Sequence, residues 1–141
     1  MRKIAGATLT ALLLTACAPT TLSQGPASGH LRAGDAASYL PTRQEPVAGA
    51  MEGVAYTSDT LTLAPGDGLL LYTDGVTEAM NLQDDLYSEE RLLAVAAERQ
   101  RQSVGELIKG ITSSIRDFAA DAPQSDDITL MAIGYRGPGE R

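Results

Sequence analysis

Leu69-Leu70-Leu71-Tyr72-Thr73-Asp74-Gly75-Val76-Thr77-Glu78-Ala79 is the stretch from which the rest of the chain can be read. Its first four residues form an unbroken apolar run, the pattern of a central strand buried on both faces. Asp74-Gly75 ends the run. A carboxylate there sits at the rim of a sheet, where oxygen ligands can hold a hard divalent cation. Gly75 lets the backbone bend sharply and come close to an ion. A second stretch, Ser125-Asp126-Asp127-Ile128-Thr129-Leu130, reverses the order, with acids first and an apolar strand after. Side chains alternate along a strand, so only one of Asp126 and Asp127 can face a shared site directly. The other is placed to hydrogen-bond a ligand or a metal-bound water. Either segment alone is weak, since an isolated Asp-Gly is usually a plain turn. Their occurrence together, with two helices between, is far more specific.

Outward from this centre, Pro65-Gly66-Asp67-Gly68 is a turn signal. Val54–Thr57 and Leu61–Leu63 read as strands joined by Ser58-Asp59, and residues 37 to 40 as a short strand. Ser88 is placed to cap a helix over Glu89–Gln102, with Leu92, Leu93, Val95 and Ala96 on one side. Ser103 with Glu106 three residues on is a capping box. It opens a second helix whose Leu107, Ile108, Ile111, Ile115 and Phe118 form one buried stripe. Pro123 closes that segment, Ile128–Ile133 is a last strand, and the tail beyond Tyr135 frays. The fold class is therefore α+β.

The 141 residues suit one modest domain, with 43% hydrophobic and 21% charged residues as in soluble globular proteins. Aromatics supply only 4%, so the core is aliphatic. A net charge of −7 does not suit nucleic-acid binding. One Cys excludes an internal disulfide, and one His excludes a His-rich metal site. Residues 1–17 stand apart: Arg2 and Lys3, an apolar run from Ile4 to Leu14, then Leu14-Thr15-Ala16-Cys17. The run is too short to span a bilayer, and the three parts together describe a secretory signal. Its ending resembles the bacterial lipobox, which implies lipidation of Cys17 and an extracytoplasmic protein held to the membrane by acyl chains. The plainer reading is a fortuitous apolar start with a buried Cys in a cytoplasmic protein. Residues 18–29, rich in Pro, Thr, Ser and Gly, read as a flexible tether.

The segments Leu63-Ala64-Pro65-Gly66-Asp67, Leu69 to Ala79, Tyr87-Ser88-Glu89-Glu90-Arg91-Leu92 and Ser125 to Ala132 resemble the C-terminal half of the metal-dependent PPM (phosphatase 2C-like) protein phosphatases. The similar branch is that of bacterial sporulation stage II protein E. Ser28-Gly29-His30 resembles that branch's "AGH" turn, without the proline-containing segment that usually follows, and Pro46–Met51 resembles the segment before its penultimate strand pair. The resemblance implies an α/β/β/α sandwich with antiparallel sheets, of which residues 30–141 hold an incomplete copy with two adjacent helices. It implies hydrolysis of phosphoserine or phosphothreonine proteins, such as anti-sigma-factor antagonists, by a water activated by Mn²⁺ or Mg²⁺, without a phosphoenzyme. By match to the family's motifs, Asp74 and Asp126 are metal ligands, with Gly75, Asp127 and Thr129 supporting them. No residue of the chain acts as a covalent catalyst in this reading. The family's first metal-binding aspartate and its "DxxG" motif have no counterpart, so weak or absent turnover by the isolated chain is expected.

Other polar residues have ordinary explanations. His30 reads as a turn residue, Glu78 as a first-turn acid favoured by the helix dipole, and Arg91, Arg99 and Arg101 as solvated charges. Two rivals remain beside the enzyme: a lipid-anchored, non-catalytic remnant or protein-binding module, and a truncated cytoplasmic chain.

Overall fold

In the computed structural model the described residues are 7–11, 28–31, 37–40, 52–53, 55, 59–124 and 126–138. Cys17, Ser125 and most of Val54–Thr57, Pro46–Met51 and the tether lie outside them. Six strands and two helices follow in the order β1 (Ala7–Ala11), β2 (Ser28–Leu31), β3 (Ser38–Tyr39), β4 (Asp59–Leu63), β5 (Gly68–Tyr72), α1 (Ser88–Arg99), α2 (Val104–Ala119) and β6 (Leu130–Gly134).

The apolar run at Leu69–Tyr72 lies at the centre, as its composition requires. β5 pairs antiparallel with β2 on one side and β6 on the other, and β3 extends the sheet beyond β2. Leu69 and Leu70 are each 2% exposed although they point to opposite faces. Leu70 and Tyr72 meet the helices, where Leu92 and Ala96 of α1 and Leu107, Ile111 and Ile115 of α2 complete an aliphatic core. Leu69 and Leu63 are buried outside that cluster. The architecture is mixed α/β, with helices against one face of an antiparallel sheet.

The turn feeding β5 follows its chemistry closely. Pro65 and Gly66 are the two central residues, and Gly66 takes φ +95°, a conformation open to glycine. Asp67 N–H donates to the Ala64 carbonyl (2.9 Å), and its buried carboxylate accepts from Ala64 N–H (2.9 Å). Gly66 N–H and Tyr135 C=O, with Tyr135 N–H and Asp67 C=O, tie the turn to the end of β6. The capping box forms as read: Ser103 Oγ accepts from Glu106 N–H (3.2 Å), while the Glu106 carboxylate accepts from Ser103 N–H (2.9 Å).

Several expectations need correction. Ser88 does not cap α1; it is the first helical residue, at φ +70°, and its N–H donates to the Thr77 carbonyl (2.9 Å). The helix ends at Arg99 rather than Gln102, because Ser103 must be extended (ψ 152°) to cap α2. Ser28-Gly29-His30 is strand rather than turn or tether, since β2 supplies the ladder that β5 needs on that side. Ala7–Ala11, inside the apolar start, forms a five-residue antiparallel ladder with β4, from Ala7 opposite Leu63 to Ala11 opposite Asp59. Among the described residues, no helix is long and apolar enough to cross a membrane.

Candidate metal centre

The end of β5 and the approach to β6 are joined by the side chain of Thr73. Its Oγ1 donates to the Asp127 carbonyl (2.8 Å) and accepts from Thr129 N–H (3.0 Å). Thr73 N–H donates to the Thr129 carbonyl (3.1 Å). These bonds continue the β5–β6 register one step past Tyr72 and Leu130. They also explain why β6 starts at Leu130 rather than Ile128: the preceding backbone is engaged by a side chain. Thr129 therefore takes part through its backbone, and its side chain is exposed.

From Thr73 the chain enters a single 3₁₀ turn, Asp74–Val76. Val76 N–H donates to the Thr73 carbonyl (3.0 Å), Glu78 N–H to the Asp74 carbonyl (2.8 Å), and Thr77 Oγ1 to that same carbonyl (3.1 Å). The turn is thus held from both ends. Asp74 Oδ1 accepts from Gly75 N–H (3.1 Å), and Asp126 Oδ1 accepts from Asp127 N–H (2.7 Å). Gln124 Nε2 holds the Asp126 carbonyl (2.7 Å). Asp74, Asp126 and Asp127 are all exposed, whereas Gly75 and Val76 are buried beneath them.

Gly75 has a different reason from the one its sequence context offers. Its φ is not positive. A Cβ there would lie 2.5 Å from the Asp127 carbonyl oxygen and 3.3 Å from the Asp126 carbonyl carbon. Glycine is needed because the two acidic segments press backbone against backbone. Thr73 and this contact bring the segments together; the sequence reading passed over Thr73, whose signal was a β-branched hydroxyl residue next to the Asp-Gly.

The donors suit a divalent cation in kind. Carboxylate oxygens are the ligands that Mg²⁺ and Mn²⁺ take. In number they fall short: among the described residues no group of three or more His, Cys, Asp or Glu side chains is gathered around one point.

Behind the turn, Ala79 accepts from Tyr87 N–H (2.8 Å), and Met80 pairs with Leu86 across a loop organised by Asn81. Asn81 Oδ1 accepts from Gln83 and Asp85 N–H, both at 2.9 Å. Tyr87, 1% exposed, donates its hydroxyl to Ser114 Oγ (2.8 Å) and meets Phe118 edge-on at 5.5 Å. Arg91 lies over the Phe118 ring, 4.7 Å from its centroid, so it is not simply a solvated charge. Arg99 likewise packs across Gly110, and its buried Nε has no hydrogen-bond partner among the described residues.

The family model for stage II sporulation protein E (SpoIIE) matches residues 20–136. Protein IcfG of Synechocystis sp. is 31% identical over 91 residues, which are 64% of this chain and 14% of that protein's length. The SiaA-PP2C domain of Pseudomonas aeruginosa superposes with a TM-score of 0.62 at 21% identity, covering 77% of this chain and 42% of that one. The chain spans a small part of IcfG and under half of the SiaA domain. It belongs to the SpoIIE family, within the PPM-type phosphatase domains.

Proposed function

We propose that this chain is part of a metal-dependent phosphoprotein phosphatase domain in which Asp74 and Asp126 are two ligands of a divalent-cation site. The observation that supports it most is the Thr73 clamp, which joins the Asp74 turn to the Asp126–Thr129 segment. Mn²⁺ or Mg²⁺ bound there would supply an activated water and neutralise charge on the phosphoryl oxygens. The chain's own residues position and hold. Asp74 and Asp126 offer carboxylates from two segments whose spacing is fixed by Gly75 and Thr73. Asp127 stands beside them, exposed to solvent. The substrates in this reading are phosphoserine or phosphothreonine proteins, with an anti-sigma-factor antagonist as the kind of partner the family suggests.

The short donor set supports weak turnover by the chain alone. The test is Mn²⁺-dependent hydrolysis of a phosphopeptide and of an aryl phosphate by the full chain. Asp74→Asn is expected to remove whatever activity is present. Activity that survives this change would exclude the metal role of Asp74. Stable folding with no turnover under any metal would favour a non-catalytic binding module instead.

The N-terminus has two mutually exclusive fates. Leu14-Thr15-Ala16-Cys17 supports processing before Cys17 and a lipid anchor outside the cytoplasm. The β1–β4 ladder supports an uncleaved cytoplasmic chain, because cleavage there removes Ala7–Ala11 and bares the edge of β4. Intact mass with radioactive palmitate labelling separates them: label lost in Cys17→Ser means an anchor, and an unlabelled chain that keeps Ala7–Ala11 means retention.

A further inference from the structure

Next to the Asp74 turn lies a groove of about 330 Å³, bounded by that turn, the last turns of α2 and the segment leading to Asp126. Its floor is apolar: Ala79 and Ile115 are buried, and Ile128 is half-buried. Exposed Met80 stands at its rim. Helix α2 ends at Ala119, and Ala120 at φ +50° turns the chain so that Ala122–Gln124 form the far wall. Among the described residues lining it, Arg116 alone is charged, and it is exposed. The volume is at the small end for ligand sites, of the order of a few side chains rather than a cofactor.

Two features select the occupant. Gly75, next to Asp74, and Gln124 and Ile128, which flank Asp126 and Asp127 in sequence, all line the groove, so its wall is built from both acidic segments. A lone arginine in the wall of a chain carrying a net charge of −7 offers a carboxylate its one local attraction. We propose that the groove is a specificity subsite for the residues flanking the phosphorylated residue of a protein substrate, taking an aliphatic side chain on its floor and a neighbouring carboxylate on Arg116. This rests on the phosphatase reading above and adds a sequence preference to it. A folded substrate would lay its chain across the site, and the groove is where the adjoining side chains fall.

The experiment measures binding of fluorescein-labelled peptides to the full chain by anisotropy in the presence of Mn²⁺. The probe has the order Glu-Leu-phosphoserine-Leu-Glu, symmetrical so that chain direction does not matter. Its comparators replace both Leu by Gly, or both Glu by Lys. The parent chain is expected to prefer the first probe by about ten-fold over either comparator. Ala119→Phe fills the groove and removes the preference for Leu over Gly, and Ala122→Met serves the same purpose if Ala119→Phe does not fold. Arg116→Glu reverses the preference between Glu and Lys. Equal binding of all three probes by the parent chain, or preferences untouched by filling and charge reversal, overturns the subsite. Aryl phosphate hydrolysis is followed in parallel, because such a small substrate does not reach the groove. Peptide preference without aryl phosphatase activity keeps the subsite and favours the non-catalytic binding module over turnover by this chain. Aryl phosphatase activity without peptide preference does the opposite.

Discussion

Replacing Gly75 by Ala adds one methyl group at the tightest contact between the acidic segments. That methyl would sit 2.5 Å from the Asp127 carbonyl oxygen and 3.0 Å from its carbonyl carbon. Both are backbone atoms, so no flexible side chain can swing away. Either the Asp74 turn or the Asp126–Asp127 segment must move. Overpacking of this kind costs about 1–3 kcal/mol. The movement also stretches the two hydrogen bonds of the Thr73 hydroxyl, each worth about 0.5–1.5 kcal/mol. Together the loss should be about 2–6 kcal/mol, which at a urea slope of about 2 kcal/mol/M moves the unfolding midpoint down by roughly 1–3 M. Gly105→Ala is the matched control. That glycine lies in the first turn of α2 with nothing within 4 Å of an added Cβ, and its φ is not positive. Alanine there should stabilise by about 0.5–1 kcal/mol through helix propensity and the unfolded chain. The reasoning fails if Gly75→Ala unfolds at the parent's urea midpoint, or if the two alanines shift it in the same direction.

Further outcomes follow from the helix cap and the buried tyrosines. Ser103→Ala should cost about 1 kcal/mol, read from urea midpoints at neutral pH. The Ser103 backbone N–H and then its hydroxyl hold the Glu106 carboxyl below its ordinary 4.5. A depressed folded value means the contribution is present above the unfolded value and is lost as pH falls through the folded one. Midpoints measured below pH 4.5 should fall less steeply in Glu106→Gln than in the parent. Tyr39 donates its hydroxyl to the Glu89 carbonyl (2.6 Å), and burial pushes its value from 10.0 up to about 12. The unfolded chain then loses this proton first. Stability should be intact below pH 10.0 and decline from there through about pH 12, and Tyr39→Phe should flatten that decline. Burial also raises Tyr72, so part of the alkaline slope should remain in the variant.

The elements that local patterns specify could be read from the chain. Leu69–Tyr72 is apolar on both faces and became the central strand, and the reciprocal bonds of Ser103 and Glu106 need only four consecutive residues. The pairing of the two acidic segments was also anticipated, from their order and from the family they resemble. What escaped was whatever depends on a distant partner. Nothing near Thr73 announces that its hydroxyl will replace a rung of the β5–β6 ladder, and Gly75 looks like a flexible turn residue until Asp127 is placed against it. Ser88 had the composition of a cap, yet its backbone was taken by Thr77. The apolar start reads as an export signal by itself, and its pairing of Ala7–Ala11 with β4 depends on a partner about fifty residues away.

The most direct test asks whether one divalent cation touches both acidic segments. Mn²⁺ titrated into the isotopically labelled chain should broaden the amide resonances of Asp74, Gly75, Asp126 and Asp127 at one metal concentration, and Asp74→Asn and Asp126→Asn should each raise that concentration for all four. Either substitution leaving the concentration unchanged would mean that the carboxylates do not share an ion and that the proposed centre does not exist.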